Sequence, residues 1–375
     1  MKLPAYQLIR KVNEWQACLE ILQAEPSIAI DLEANSMYAY REKICLIQIS
    51  TPNQDFILDP TIQALDLEPF GELIINPEIQ KIFHAAEYDL ILLKREFGWE
   101  LKNLFDTMWA ARILGYKRFG LASMLETCFQ VKLNKRYQKS NWCQRPLSPE
   151  QLVYAQHDTH FLFALRDRLA AELAVAGSEE EAVELFAAQT KIVLPNTDFD
   201  PDSFWHMQGV QDLSRKQQAV LKEVNIYRDR AARDRNQPLF KIFGGRTLLE
   251  IAKQTPKSMQ ELRRIHGMTN GQIHRYGQGV LQAVQRGLKA APPAHPKRNK
   301  RLPDDVLARY DILHNWRKQR GLQRGVESDV ILSREALWEI AHTNPTCMAE
   351  LEPLDSIGPW RCATYGPEII ELLTT

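Results

Sequence analysis

Apolar residues first recur at helical spacing over Val12–Gln23, and the short apolar run Ser27–Ile30 that follows reads as a strand. Ile44–Ser50 is a second run of β type, turned by Pro52-Asn53 into Phe56–Leu58. Lys81–His84 gives a further short strand, followed by an amphipathic helix from about Glu87 to Phe97. Beyond that point the patterns are mostly helical. Strands first, with helices threaded between them, predict an α/β domain built on a mixed sheet flanked by helices.

Two polar, proline-bearing stretches, Leu194–Asp202 and Ala290–Pro303, punctuate the chain. They predict three domains, at about 1–200, 208–290 and 300–375. The last two contain an internal repeat. A shift of 89 residues without a gap superposes Arg228 on Arg317, Arg235 on Arg324, Glu250-Ile251-Ala252 on Glu339-Ile340-Ala341, and Tyr276-Gly277 on Tyr365-Gly366. The matches keep helical spacing, so each copy is expected to be a small all-α domain with a modest core of its own.

At 375 residues, 45% hydrophobic and 25% charged, the chain has the composition of a globular protein. No apolar run is long enough for a membrane span, and the N-terminus lacks the apolar core of a signal peptide. The six cysteines form no C-x-x-C pair, which argues against zinc and against a disulfide framework, and for a reducing cytoplasm. The net charge of zero hides an asymmetry. Residues 1–190 hold 19 Lys+Arg and 26 Asp+Glu, a net of −7, and the remaining 185 hold 28 and 21, a net of +7. An acidic metal-binding part joined to a basic nucleic-acid-binding part accounts for this, as does surface composition alone.

Asp31-Leu32-Glu33 directly follows the strand Ser27–Ile30. On a strand, residues i and i+2 project from one face, so both carboxylates enter one site, where they repel unless a hard cation lies between them. Asp66-Leu67-Glu68 has the same spacing and reads as surface helix. Asp89 lies one turn into the helix after His84. It fits a carboxylate favoured by the helix dipole as well as it fits a ligand, and Glu87 competes for the role. Tyr154 and Asp158 share a helix face one turn apart, although a half-buried tyrosine beside an exposed aspartate has the same spacing.

In this order the motifs resemble the DEDD superfamily of 3′→5′ exonucleases, in its tyrosine subclass. Asp31 and Glu33 match its first motif, Asp89 the second, and Tyr154 with Asp158 the third. The histidine subclass needs His five positions before the last Asp, where this chain has Val153. The blocks Phe105–Gly115 and Leu133–Leu147 resemble ribonuclease D, and the two repeats resemble the helicase-and-ribonuclease-D C-terminal (HRDC) domain. The second repeat keeps fewer basic residues.

The resemblance implies a ribonuclease H-like catalytic domain followed by two HRDC-type domains. It implies hydrolysis of RNA from a free 3′ end to nucleoside 5′-monophosphates with two divalent cations, Mg²⁺ or Mn²⁺. Asp31, Glu33 and Asp158 would hold one cation. Asp31 would hold the other, with Asp89 acting through water, and Tyr154 would orient or help deprotonate the attacking water. The implied substrates are tRNA precursors with single-stranded 3′ ends. Three self-contained domains make a monomer the default expectation, and the cysteine usage predicts a cytoplasmic location. Between Arg112 and Arg145 the cations Arg112, Lys117, Arg118, Lys135, Arg136, Lys139 and Arg145, interleaved with aromatic residues, suggest an RNA-binding stretch. Trp142 fits a base-stacking role or the core. A DNA exonuclease and a catalytically inactive RNA-binding adaptor are the alternatives.

Overall fold

The computed structural model describes residues 3–296 and 301–374; Lys297, Arg298 and Lys300 of the basic linker lie outside them. The chain opens with β1 (Tyr6–Ile9), α1 (Val12–Ala24), β2 (Ser27–Ala34), β3 (Ile44–Ser50), β4 (Asp55–Leu58), α2 (Glu68–Ile75), β5 (Gln80–Phe83), α3 (Glu87–Phe97) and β6 (Leu104–Asp106). Five helices follow: α4 (Thr107–Ile113), α5 (Leu121–Phe129), α6 (Pro149–His160), α7 (Leu162–Ala176) and α8 (Glu179–Gln189). The strands form one mixed sheet in the order β1-β4-β3-β2-β5-β6. β3 runs antiparallel to β2 and to β4, while the other pairs are parallel. The expected sheet with flanking helices is therefore present.

Two strands escaped the hydrophobic pattern, because β1 and β6 are edge strands of four and three residues, too short to show alternation. β2 also continues through Asp31–Ala34, so the D-x-E motif lies within the strand rather than beyond it. Ile28, Ile30 and Leu32 point to one face of the sheet, in the core formed with α1. Asp31 and Glu33 take the other face.

The cysteine expectation needs one correction. Cys45 of β3 and Cys143, 98 residues apart in sequence, are joined in a disulfide. A separation of that length has no local spacing signature.

The chain divides into two compact units. One contains residues 1–34, 44–194 and 301–375, and the other residues 35–43 and 195–300. The second unit carries the first repeat: α9 (Arg215–Asp234), α10 (Leu239–Ile242), α11 (Gly245–Gln254), α12 (Met259–Leu262) and α13 (Asn270–Lys289). The loop 35–43 joins it through Tyr40, whose hydroxyl donates to Asp229 at 2.5 Å.

The first unit carries the second repeat: α14 (Asp304–Arg324), α15 (Ser328–Ile331), α16 (Arg334–Thr343), α17 (Met348–Leu351) and α18 (Pro359–Thr374). Each of its helices starts 89 residues after its counterpart. The repeated identities have physical causes. Arg228 and Arg317 each donate to the carbonyl fifteen residues on, Phe243 O and Leu332 O. A Cβ at Gly277 or Gly366 would meet the Met259 or Met348 methyl at 2.7 or 2.6 Å, so in both copies the methionine side chain lies close over the glycine.

The second repeat is docked on the sheet domain. Val330 enters the core of that domain, and Arg112 pairs with Glu327 and Asp329, both at 2.6 Å. Arg361 pairs with Glu184 at 2.7 Å.

Candidate active site

The site is assembled by β2, α3 and α6 on one face of the sheet. In the β2–β3 ladder Asp31 lies opposite Gln48 and Glu33 opposite Leu46, with a register irregularity just after Glu33. α6 starts at a Ser148 capping box with Pro149 in its first turn, both favourable helix starts. The helix is held against the sheet by Asp55 of β4, which accepts hydrogen bonds from Gln156 Nε2 at 2.6 Å and Ser50 Oγ at 2.6 Å. Asp55 also pairs with His160 Nδ1 at 2.8 Å, and Ser50 Oγ contacts Thr159 Oγ1 at 2.8 Å. This anchorage fixes the turn that carries Tyr154 and Asp158.

Ligand-capable oxygens of Asp31, Glu33 and Asp158 all lie within 4.8 Å of one another. Asp89, on the first turn of α3, is buried and feels the charges of Asp31, Asp106 and Asp158, whereas its competitor Glu87 is exposed. The start of α3 is set by Asp106, a fully buried carboxylate that accepts from Ala85 N at 3.0 Å and Ala86 N at 2.8 Å. It also caps α4 through Met108 N and Trp109 N. Ala85 takes a left-handed φ of 65°, a conformation that costs a non-glycine residue and that the Asp106 clamp sustains. Asp55 and Asp106 are supporting residues that sequence spacing did not reveal. A cap signal, Asp-Thr at a helix start, was available for Asp106.

Electrostatics give the cluster its character. Burial pushes the Asp31 carboxyl up to about 7. Glu33 is pushed up to about 10 by burial, then by repulsion from Asp31, Asp158 and Asp89. Asp89 and Asp158 are raised for the same reasons. No lysine or arginine is among the causes of these shifts, so among the described residues burial and mutual repulsion dominate the cluster. An all-oxygen, anionic donor set suits hard divalent cations and not zinc. The residues thus fit the metal dependence of the family described below.

Tyr154 packs against Tyr137 and Trp142, with ring centroids 6.3 and 5.9 Å away. Burial, then Asp158, Glu33 and Asp31, push its hydroxyl above its ordinary value. Beside the metal-free carboxylates the phenol therefore holds its proton.

The stretch expected to bind RNA is largely committed elsewhere. Trp142 is 1% exposed and packs on Tyr154, so it has no free face for a base. Arg145 binds Asp59 through Nε at 2.6 Å and Nη2 at 2.8 Å, and also Cys45 O at 2.7 Å. Arg112 is taken by Glu327 and Asp329, and Lys117 Nζ donates to Gly325 O at 2.7 Å. A sequence count of cations does not reveal which of them already have intramolecular partners. Arg118, Arg136 and Lys139 are exposed. The Lys135 side chain lies outside the described residues.

Mixed sheet, converging carboxylates and a helix-borne tyrosine define a 3′–5′ exonuclease domain. The model of the 3′–5′ exonuclease family matches residues 6–174, and that of the HRDC domain matches 217–284 and 306–373. The chain is 30% identical to the catalytic core of RRP6 from Trypanosoma brucei. The match covers 76% of this chain and 80% of that one, with a TM-score of 0.69. It is 29% identical to ribonuclease D of Gluconacetobacter diazotrophicus, over 97% of this chain and 92% of the relative. Protein RRP6-like 1 of Arabidopsis thaliana is 30% identical over 78% of this chain. Of that protein the chain spans 47%, and of its paralogue RRP6-like 2 it spans 34%. The chain belongs to the ribonuclease D family, whose exonuclease domains depend on divalent metal.

Proposed function

We propose that the chain is a 3′→5′ exoribonuclease that removes nucleoside 5′-monophosphates from RNA with two Mg²⁺ or Mn²⁺ ions. The observation that carries this reading is the convergence of Asp31, Glu33 and Asp158, with Asp89 close enough to feel Asp31 and Asp158. All are buried or half-buried and mutually repelling, and no lysine or arginine is among the causes of their shifts. Asp31, Glu33 and Asp158 would hold one ion, and Asp31 with Asp89 the other. When bound, such ions acidify water and stabilise charge on the departing 3′-oxygen. Tyr154 keeps its proton and orients the attacking water by a hydrogen bond. Asp55 and Asp106 hold α6 and α3 so that the carboxylates meet.

The two repeats divide the remaining work. Across α9–α13 (215–289) there are 16 Lys+Arg and 5 Asp+Glu, a net of +11; across α14–α18 (304–374) there are 7 and 12, a net of −5. The first repeat is the one suited to phosphate backbones, and the second serves to dock on the catalytic domain. Domains at 1–200, 208–290 and 300–375, a monomeric state, a cytoplasmic location and tRNA precursors as substrates complete the proposal. RNA as the substrate class is supported by the ribonuclease D relatives, which align over nearly their whole length, and precursor tRNA is the member of that class we propose. A time course on 5′-labelled precursor tRNA with Mg²⁺ tests it. A ladder shortening from the 3′ end is expected, and internal cleavage of a 3′-blocked RNA contradicts the reading.

A further inference from the structure

Gln48 lies in the middle of β3 and has no solvent exposure. Neither its Oε1 nor its Nε2 has a hydrogen-bond partner among the described residues. A buried amide with nothing to bind destabilises a fold, and such groups in native proteins have a reason. Leu or Met would fill the same volume in this mostly apolar strand without that penalty.

Its position supplies the reason. Gln48 sits directly opposite Asp31 in the antiparallel ladder, so the two side chains share a face about 4.5–5.5 Å apart at Cβ. Two residues on, Ser50 reaches Thr159 of α6 from that face. Two residues back, Leu46 packs in one cluster with Ala155 of α6. Gln48 is bracketed by these contacts and faces the turn of α6 that carries Asp158. The Asp31 and Asp158 carboxylates, when ionised, are acceptor-only groups. Ionised, with a divalent cation between them, they keep free lone pairs that need a donor.

We infer that Gln48 is a positioning residue whose amide orients the Asp31 and Asp158 carboxylates when they hold metal, and that it goes unpartnered when they do not. The inference rests on the metal-site reading above. Groups that hold ligating side chains in place are worth about 10–100-fold in metal affinity.

The test uses the full chain with Gln48→Met and Gln48→Leu, read by calorimetric Mn²⁺ titration and by thermal unfolding in EDTA. Both variants should bind Mn²⁺ about 10–100-fold more weakly. Their Tm in EDTA should be unchanged or higher, because an unpaired buried amide has been removed. Extra Mn²⁺ should restore most of the turnover. A lowered Tm in EDTA would mean that the amide already has a partner, a buried water included, and is structural. Mn²⁺ affinity within twofold of wild type would also overturn the inference. Asp158→Asn, run alongside, separates the two readings. If it binds Mn²⁺ like wild type, the metal site itself is wrong; if it loses Mn²⁺ while Gln48→Met keeps it, only the role of Gln48 fails.

Discussion

Arg324 of the second repeat places both terminal guanidinium nitrogens on Glu181 of α8, at 2.8 and 2.7 Å, and Glu181 has no solvent exposure. Its counterpart in the first repeat, Arg235, is exposed over the Tyr276 ring. One repeat position thus has two fates, an interdomain ion pair and a solvent-facing cation. Removing one partner of a buried pair costs about 3–5 kcal/mol. Arg324→Ala should lose about 3 kcal/mol in urea unfolding, the low end, because Arg361 remains 3.8 Å from Glu181. Arg235→Ala should change stability by about 0.5 kcal/mol or less. Equal effects would show that the pair does not hold the second repeat in place.

Asp158→Asn should abolish turnover and, in EDTA, raise Tm. The amide keeps the shape of the carboxylate but removes repulsion among half-buried anions. A structural aspartate would behave in the opposite way, losing stability along with activity. Calorimetry in EDTA beside a nuclease assay in Mg²⁺ gives both readings, and an active variant would remove Asp158 from the site.

The catalytic geometry was legible because chemistry forced its spacing: i, i+2 on a strand for Asp31 and Glu33, and i, i+4 on a helix for Tyr154 and Asp158. The repeat was legible because paired positions make the same contact in both copies, as Met259–Gly277 and Met348–Gly366 do. Residues that act through long-range contacts were not. Asp55 meets α6 across about a hundred residues of sequence, and Cys45 meets Cys143 across 98. Arg112 and Arg145 read as RNA contacts, and Trp142 stayed open between a stacking role and the core, because only the fold shows which aromatic rings are buried and which cations are already paired.

pH should act on the metal-free protein through the raised carboxyls. Their folded values, about 7 for Asp31 and about 10 for Glu33, exceed the unfolded values of 3.8 and 4.5. The folded state therefore binds more protons than the unfolded one, and stability from these groups is present at low pH and lost as pH rises. In EDTA the Tm of wild type should fall relative to that of Asp31→Asn between about pH 4 and 7, the interval between the unfolded and folded values of Asp31. Saturating Mg²⁺ should reverse the trend, since binding requires the ionised forms. Parallel Tm curves for the two proteins in EDTA would mean that Asp31 titrates normally.

Tyr154→Phe should slow turnover by about 10²–10⁴-fold. The ring stays packed between Tyr137 and Trp142, so Mn²⁺ affinity and Tm should hold. Because the hydroxyl is held protonated, the residual activity should keep the wild-type pH profile rather than lose an alkaline limb. A loss of metal affinity would assign the hydroxyl to the metal site instead of to the attacking water.

RNA affinity should depend on one face of the first repeat. Arg263 and Arg264 follow α12, and Arg275 lies on the first turns of α13. All three are exposed, and none has a salt-bridge partner among the described residues. The second repeat, 89 positions on, has Glu352, Pro353 and Thr364 there, so the two copies share a fold but not a charge. Nothing in the packing requires arginine at these sites. Each phosphate contact in a single strand contributes roughly 0.7 to the slope of log K against log salt. Changing all three to Ala should weaken binding of a precursor tRNA, lower that slope by about 2, and leave kcat on a short oligonucleotide unchanged. Arg334→Ala on the exposed surface of the second repeat should change neither quantity. If the triple variant keeps both the affinity and the salt slope of wild type, the positive charge of the first repeat serves a partner other than RNA.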